Sequence, residues 1–155
     1  MRSYFGQSAI AAIKGSAKYP NIKGYAYFTE TDDGTAVSIA VKGLPVEETL
    51  CKSSIFAVHI HEGGSCSGNQ QDLFADTLGH YNPYKCEHPF HAGDMPPLFS
   101  AGQKASFAFL TNRFTPDEVI GKTIVIHKSY DDFHTQPSGA SGEKIACGEI
   151  KPTLD

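Results

Sequence analysis

The sequence is poor in several features that would each send it to a different class. None of its apolar runs approaches the ~20 residues that a membrane-spanning helix needs. The opening residues Met1-Arg2-Ser3-Tyr4-Phe5-Gly6 lack the apolar stretch of a secretory signal. There is no basic excess: 13 Lys and Arg against 17 Asp and Glu give a formal net charge of −4, the wrong sign for a nucleic-acid-binding face. The four cysteines, at 51, 66, 86 and 147, contain no C-x-x-C pair, so neither a thioredoxin-like redox motif nor a zinc ribbon is indicated. Helical periodicity is almost missing. What is present is 155 residues with 40% apolar content, enough for one domain, 1–155, with its own core. The expected compartment is the cytoplasm, or outside the cell if a leader has been removed. No membrane or nucleic-acid partner is expected.

Short apolar or alternating runs dominate. Segments 8–13, 22–29, 35–41, 55–61, 105–111, 123–127 and 144–150 read as strands, with Asp32-Asp33-Gly34 as a hairpin turn between the second and third. Thr115-Pro116-Asp117-Glu118 has a capping-box pattern with proline at the first helical position, which predicts a short helical turn. Such a series indicates an all-β sandwich or barrel. Two segments break the pattern: 62–100, rich in Gly, Pro, Asn and Asp, and the polar loop 128–143. The first is too long for an ordinary connection, and ordered loops of that size are usually functional or stapled by a metal or disulfide.

Seven histidines lie at 59, 61, 80, 88, 91, 127 and 134. In a strand, residues two apart share a face. Phe56, Val58 and Ile60 would then face the core, with Ala57, His59 and His61 opposite. Ile124 and Ile126 would likewise face away from Val125 and His127. Singly, each histidine reads as a scattered surface or core residue. Two on one strand face, three in one loop with Asp94, and one at a strand end read together as a metal site first and a general-base site second. Imidazole-rich ligation with one carboxylate suits zinc or copper better than magnesium or calcium.

Five segments, taken in order, resemble copper–zinc superoxide dismutase, closest to the bacterial type: His59-Ile60-His61-Glu62-Gly63-Gly64-Ser65-Cys66, Gly79-His80-Tyr81-Asn82-Pro83, His91-Ala92-Gly93-Asp94, Ile126-His127 with Asp131 and Asp132 behind it, and Ala146-Cys147-Gly148. The resemblance spans about 8–150. It implies an eight-stranded Greek-key β-sandwich or barrel with two long functional loops, and copper and zinc as cofactors. His59, His61, His80 and His127 would be the copper ligands, with His80 bridging to zinc. His88, His91 and Asp94 would complete the zinc site. Asp131 would link a copper ligand to a zinc ligand and orient both. Cys66 and Cys147 would form the disulfide that pins the long loop to the last strand. The implied substrate is the superoxide anion. Copper would alternate between Cu(II) and Cu(I), releasing oxygen and then hydrogen peroxide, with His80 supplying a proton and zinc holding the loop. A local positive field would have to offset the net negative charge and steer the anion. The resemblance also allows a homodimer.

The match departs from the family at three places. Lys144, with Glu143 beside it, stands where the family usually has arginine near copper. Lysine keeps the charge but loses the planar fork, so activity is expected to be retained, at full or reduced rate; the alternative is a solvated strand-end charge. His88 and His91 are only three residues apart, closer than in the family, so His88 is either a ligand in a tight loop or a surface histidine. Cys51 and Cys86 have no family counterpart. Even parity favours a second disulfide, but a straight strand through 51–59 would carry Cys51 ~26 Å from the copper end. Cys86 as a zinc ligand is a further alternative. His134 is expected to be exposed or on the channel rim. The competing functions are a non-catalytic copper- or zinc-binding relative of the same fold and an adhesion sandwich. Delivery proteins of this family usually carry a separate C-x-x-C copper domain, absent here, and zinc-only relatives usually lack a copper ligand, whereas all four are present.

Overall fold

The computed structural model describes residues 6–47 and 54–154. Nine strands appear among them: β1 (Ser8–Gly15), β2 (Lys23–Thr31), β3 (Gly34–Lys42), β4 (Ile55–Phe56), β5 (Val58–His61), β6 (Leu98–Phe99), β7 (Lys104–Thr111), β8 (Thr123–His127) and β9 (Lys144–Pro152). Seven of them form one curled antiparallel sheet, in the order β5-β8-β9-β1-β2-β3-β7, and β4 pairs with β6 in a second small sheet. The only α-helix among the described residues is the short turn α1 (Pro116–Val119), whose capping box forms as expected, Glu118 Oε2 accepting from the Thr115 backbone N–H at 2.7 Å.

Alternation along each strand builds the core. Ala9, Ala11 and Ile13 of β1, Ala26 and Phe28 of β2, Val37, Ile39 and Val41 of β3, and Ile124 and Ile126 of β8 turn inward together and join one apolar cluster with Val58 and Ile60. The opposite face of β8 is also buried: Val125 packs with Phe74, Cys147 and Cys66. Strands β5 and β8, at one edge of the large sheet, are thus covered on both faces, by the core on one and by the long loop on the other.

Two features differ from the sequence expectation. The run 55–61 is not one strand. It breaks at Ala57, whose N–H goes to Ser129 O at 2.9 Å; Ile55–Phe56 pairs with Leu98–Phe99, whereas Val58–His61 pairs with β8. Leu98–Phe99 was missed because two residues carry no period. The Cys51–Cys86 pairing lies outside the described residues on its Cys51 side; Cys86 itself is exposed.

Candidate metal centre

Strand β5 presents His59 and His61 on the face away from the core, and β8 presents His127 beside them, all buried. The long loop then runs back along β5 as an improvised strand. Tyr81 N–H donates to Ile60 O at 2.8 Å, Ile60 N–H to Gly93 O at 2.8 Å, and Gly93 N–H to Tyr81 O at 2.9 Å. This sets His80 against His61 and Asp94 against His59 in bridge register. Gly93 is needed for that approach: a Cβ there would stand 2.3 Å from Ile60 O.

Two donor sets result. Ligand atoms of His59, His61, His80 and His127 lie within 4.8 Å of one another, as do those of His80, His88, His91 and Asp94. His80 belongs to both. Its Nδ1 lies 2.8 Å from Asp94 Oδ1 and 3.3 Å from His91 Nδ1, while its Nε2 is buried with no hydrogen-bond partner among the described residues.

Four of the other five rings have their tautomer fixed by a bond on the far side. His61 Nδ1–H donates to Leu78 O at 2.7 Å and His127 Nδ1–H to Gly142 O at 3.1 Å, leaving the two Nε2 lone pairs 3.2 Å apart. His59 Nε2–H and His88 Nε2–H donate to the two oxygens of Asp131, each at 2.8 Å. Their Nδ1 atoms are buried and unbonded; His88 Nδ1 sits 3.0 Å from Asp94 Oδ2, without the angle of a hydrogen bond. Buried nitrogens left bare cost free energy unless something else satisfies them. Three bare imidazole nitrogens, at His59, His80 and His88, aimed into two sets of further donors, fit metal ions. The N₄ set suits copper or zinc, and the N₃O set suits zinc.

The electrostatics agree. Burial pushes the pKa of His59 down to about 4, despite its bond to Asp131, and that of His127 down to about 3; burial and the neighbouring rings hold His61 well below its ordinary value. These rings are therefore neutral at neutral pH, the form that ligates metal. For Asp131, burial is the largest influence and acts upward, but hydrogen bonds from His59, His88 and the Phe133 N–H together outweigh it and hold the carboxyl ionised. Asp94 follows the same pattern, burial being outweighed chiefly by His80, with His88 and His91 adding to it.

All eight histidine and aspartate residues singled out from the sequence meet here, including His88, which is buried rather than a surface loop residue. Cys66 and Cys147 are disulfide-bonded with Cα atoms 5.7 Å apart. His134 stays out, its side chain 80% exposed. Lys144 stands beside the centre at the start of β9, opposite His127 in register. Its Nζ is not a bare solvated charge: it pairs with Asp72 Oδ2 at 2.9 Å and donates to Phe74 O at 3.2 Å.

Three supporting residues carried no sequence signal. The Gln136 side chain accepts from His88 N–H at 2.9 Å and donates to His88 O at 2.7 Å. Arg113 Nη1 donates to Pro89 O at 2.9 Å and His91 O at 3.3 Å. Gly139, at φ +70°, leaves room for the Asp131 carboxylate; a Cβ there would fall 2.0 Å from Asp131 Oδ1.

Comparison with known proteins agrees with this geometry. Residues 22–150 match the family model described as copper/zinc superoxide dismutase (SODC). A Cu-Zn superoxide dismutase of Deinococcus radiodurans is 34% identical over 146 residues, covering 82% of this chain and 76% of that protein. One from Aquifex aeolicus is 32% identical over 143 residues, covering 83% and 78%. Among solved structures, the Cu/Zn superoxide dismutase of Brucella abortus superposes with a TM-score of 0.78 over 93% of this chain and 99% of that one at 22% identity, a likeness of fold. A double mutant of a SOD-like protein from Bacillus subtilis gives 0.73 at 30% identity, over 92% and 96%. With the matched region covering both donor sets and both half-cystines, the chain belongs to the copper/zinc superoxide dismutase family.

Proposed function

We propose that the chain is a superoxide dismutase, converting two superoxide anions and two protons into one oxygen and one hydrogen peroxide. The observation that carries this is the His80 ring, shared by two donor sets through its two nitrogens, with Nε2 buried and unbonded. In this reading His59, His61, His80 and His127 would hold copper, and His80, His88, His91 and Asp94 would hold zinc. Copper bound there would supply a one-electron couple, and zinc would supply fixed charge without redox chemistry. The protein does the rest. Asp131 keeps His59 and His88 in register, so the two sites cannot drift apart. His80 Nε2 has no hydrogen-bond partner among the described residues, so this atom would be held by copper and, when free of it, can hold a proton inside the site. Lys144 provides a cation 16% exposed beside His127 to draw the anion inward.

A second reading, a non-catalytic metal-binding relative, is favoured by one observation: the Lys144 charge is already partnered by Asp72. Metal analysis and superoxide dismutation after reconstitution, on wild type and His127→Gln, separate the two. About one copper and one zinc per chain, with activity lost in the variant, is expected of the enzyme. Zinc without copper, or both metals with no activity above background, would leave only the metal-binding relative.

A further inference from the structure

A row of four lysines crosses the outer face of the sheet. Lys14 of β1 is the register partner of Lys23 of β2, Lys23 of Lys42 of β3, and Lys42 of Lys104 of β7. Directly paired residues point to one side of a sheet, and adjacent strands are about 4.7–4.9 Å apart. All four are exposed. Like charges directly opposite one another destabilise a sheet, and here the arrangement is repeated across three consecutive strand pairs.

Nothing in the described residues neutralises it. Lys18, Lys122, Lys144 and Lys151 each have a carboxylate within 4.0 Å, at 2.9, 2.7, 2.9 and 3.7 Å. None of the four in the row makes an ion pair among the described residues. In a chain with net charge −4, an unpaired cationic line of this kind is a local inversion of sign.

The row lies in a trough of about 550 Å³, open to solvent, with all four lysines among its lining residues. The next row along the strands is Ala12, Tyr25 and Ala40, so the floor is low where the alanines stand. Tyr25 rises from it, 51% exposed, and stacks on Tyr27, 47% exposed, with ring centroids 6.3 Å apart.

We infer that this trough is a docking site for a linear acidic polysaccharide, one that carries a carboxylate or sulfate on successive sugars. The charges would pair with the lysines along the row, and the apolar face of a sugar ring would lie on Tyr25. The shape and chemistry select this occupant. A bilayer spreads its headgroup charges over a plane, whereas the four lysines form a single line across the strands. Single-stranded nucleic acid prefers successive aromatic platforms along the charged track, often with arginine; here the tyrosines stack across the track and the row contains no arginine. A second copy placing the same face against this one would oppose lysine to lysine. Lysine itself is a compact ammonium that pairs with anions as a point charge, without the planar geometry that arginine demands.

The test uses the metal-loaded protein and oligomers of polygalacturonate, with dextran of matched length as the neutral control, at low and physiological salt. Expected is binding to polygalacturonate alone, weakened by added salt, since exposed charges are screened over about 8–10 Å. The Lys23→Gln/Lys42→Gln double variant should bind about tenfold more weakly, the worth of two exposed ion pairs, with unchanged metal content and circular dichroism. Equal binding of dextran, undiminished binding by the double variant, or no binding of polygalacturonate would overturn the proposal. So would a preference for an oligothymidylate or phosphatidylglycerol vesicles over polygalacturonate, or self-association abolished by the same two substitutions.

Discussion

The Lys144 ammonium lies 2.9 Å from the Asp72 carboxylate, so the cation opposite His127 in register is shared with a loop residue. The pair is formed across a separation of 72 residues and ties the long loop to the start of β9. It also has an electrostatic cost for a reaction of anions, because a paired charge projects a weaker field than a lone one. Asp72→Asn removes the negative charge and keeps the oxygen that accepts from the Phe74 N–H at 2.9 Å. Expected is a rise of about two- to threefold in kcat/KM for superoxide at low ionic strength, fading as salt screens the site. Lys144→Gln should lower it by a similar or larger factor. A pulse-radiolysis rate for Asp72→Asn equal to or below wild type at all salt concentrations would show that Lys144 does not guide the substrate.

Asp131 is the mechanical link between the two donor sets. One carboxylate accepts from both His59 and His88, and partners of this kind typically account for 10–100-fold in metal affinity. Asp131→Asn leaves one amide where two acceptors stood, so at least one ring must turn or lose its bond. Gly139→Ala should do comparable damage from outside, since its Cβ would enter the space of Asp131 Oδ1 at a positive φ. Both variants should hold copper and zinc about 10–100-fold more weakly in competition with a chelator. Wild-type affinity in both would mean that the bridge plays no part in ligation.

The sequence was most legible where a residue's role depends on its neighbours in the chain. His59 and His61 share a face because strands alternate, and so do Ile124 and Ile126; the structure keeps both patterns. The donor set was legible through its combined order and its likeness to a family. Illegible were roles that arise only when distant loops meet. Gln136 grips the backbone of His88 from 48 residues away, and Arg113 grips loop carbonyls from another connection. A backbone carbonyl leaves no trace in sequence, and any polar side chain of the right reach would serve. The Lys144 position was visible, but its partner Asp72 was not, because nothing local distinguishes that carboxylate from other loop acids.

The Cys66–Cys147 disulfide closes a loop with a sequence separation of 81 and anchors Cys66 against Val125 and Phe74. Cross-links over loops of this size contribute about 2–5 kcal/mol. Cys66→Ser/Cys147→Ser should lower the stability of the metal-free protein by that amount in urea unfolding. The metal-loaded form should lose less, because ligands from β5, β8 and the loop hold the same segments together. Equal losses with and without metal would indicate that the metals and the disulfide restrain separate parts of the chain.

Acid should undo the centre in a defined window. The His59 and His127 rings have folded-state pKa values pushed down to about 4 and about 3, chiefly by burial, from an ordinary 6.5. Between those values the unfolded chain binds protons that the folded chain refuses, so stability rises with pH through the window and is lost as pH falls from 6.5 toward 3–4. Each ring contributes a slope of at most about 1.4 kcal/mol per pH unit. For the metal-free protein, calorimetry should show a nearly level Tm between pH 7 and 8 and a steady fall from pH 6.5 to 4.5. His127→Gln should show a shallower fall, having one fewer ring to protonate. In the loaded protein the same protonation competes with the metals, so copper and zinc should be released over the acidic side of this range. A metal-free Tm that stays level down to pH 4.5 would mean the rings are not held neutral by burial, and the fit of the bare nitrogens to metal would lose its electrostatic basis.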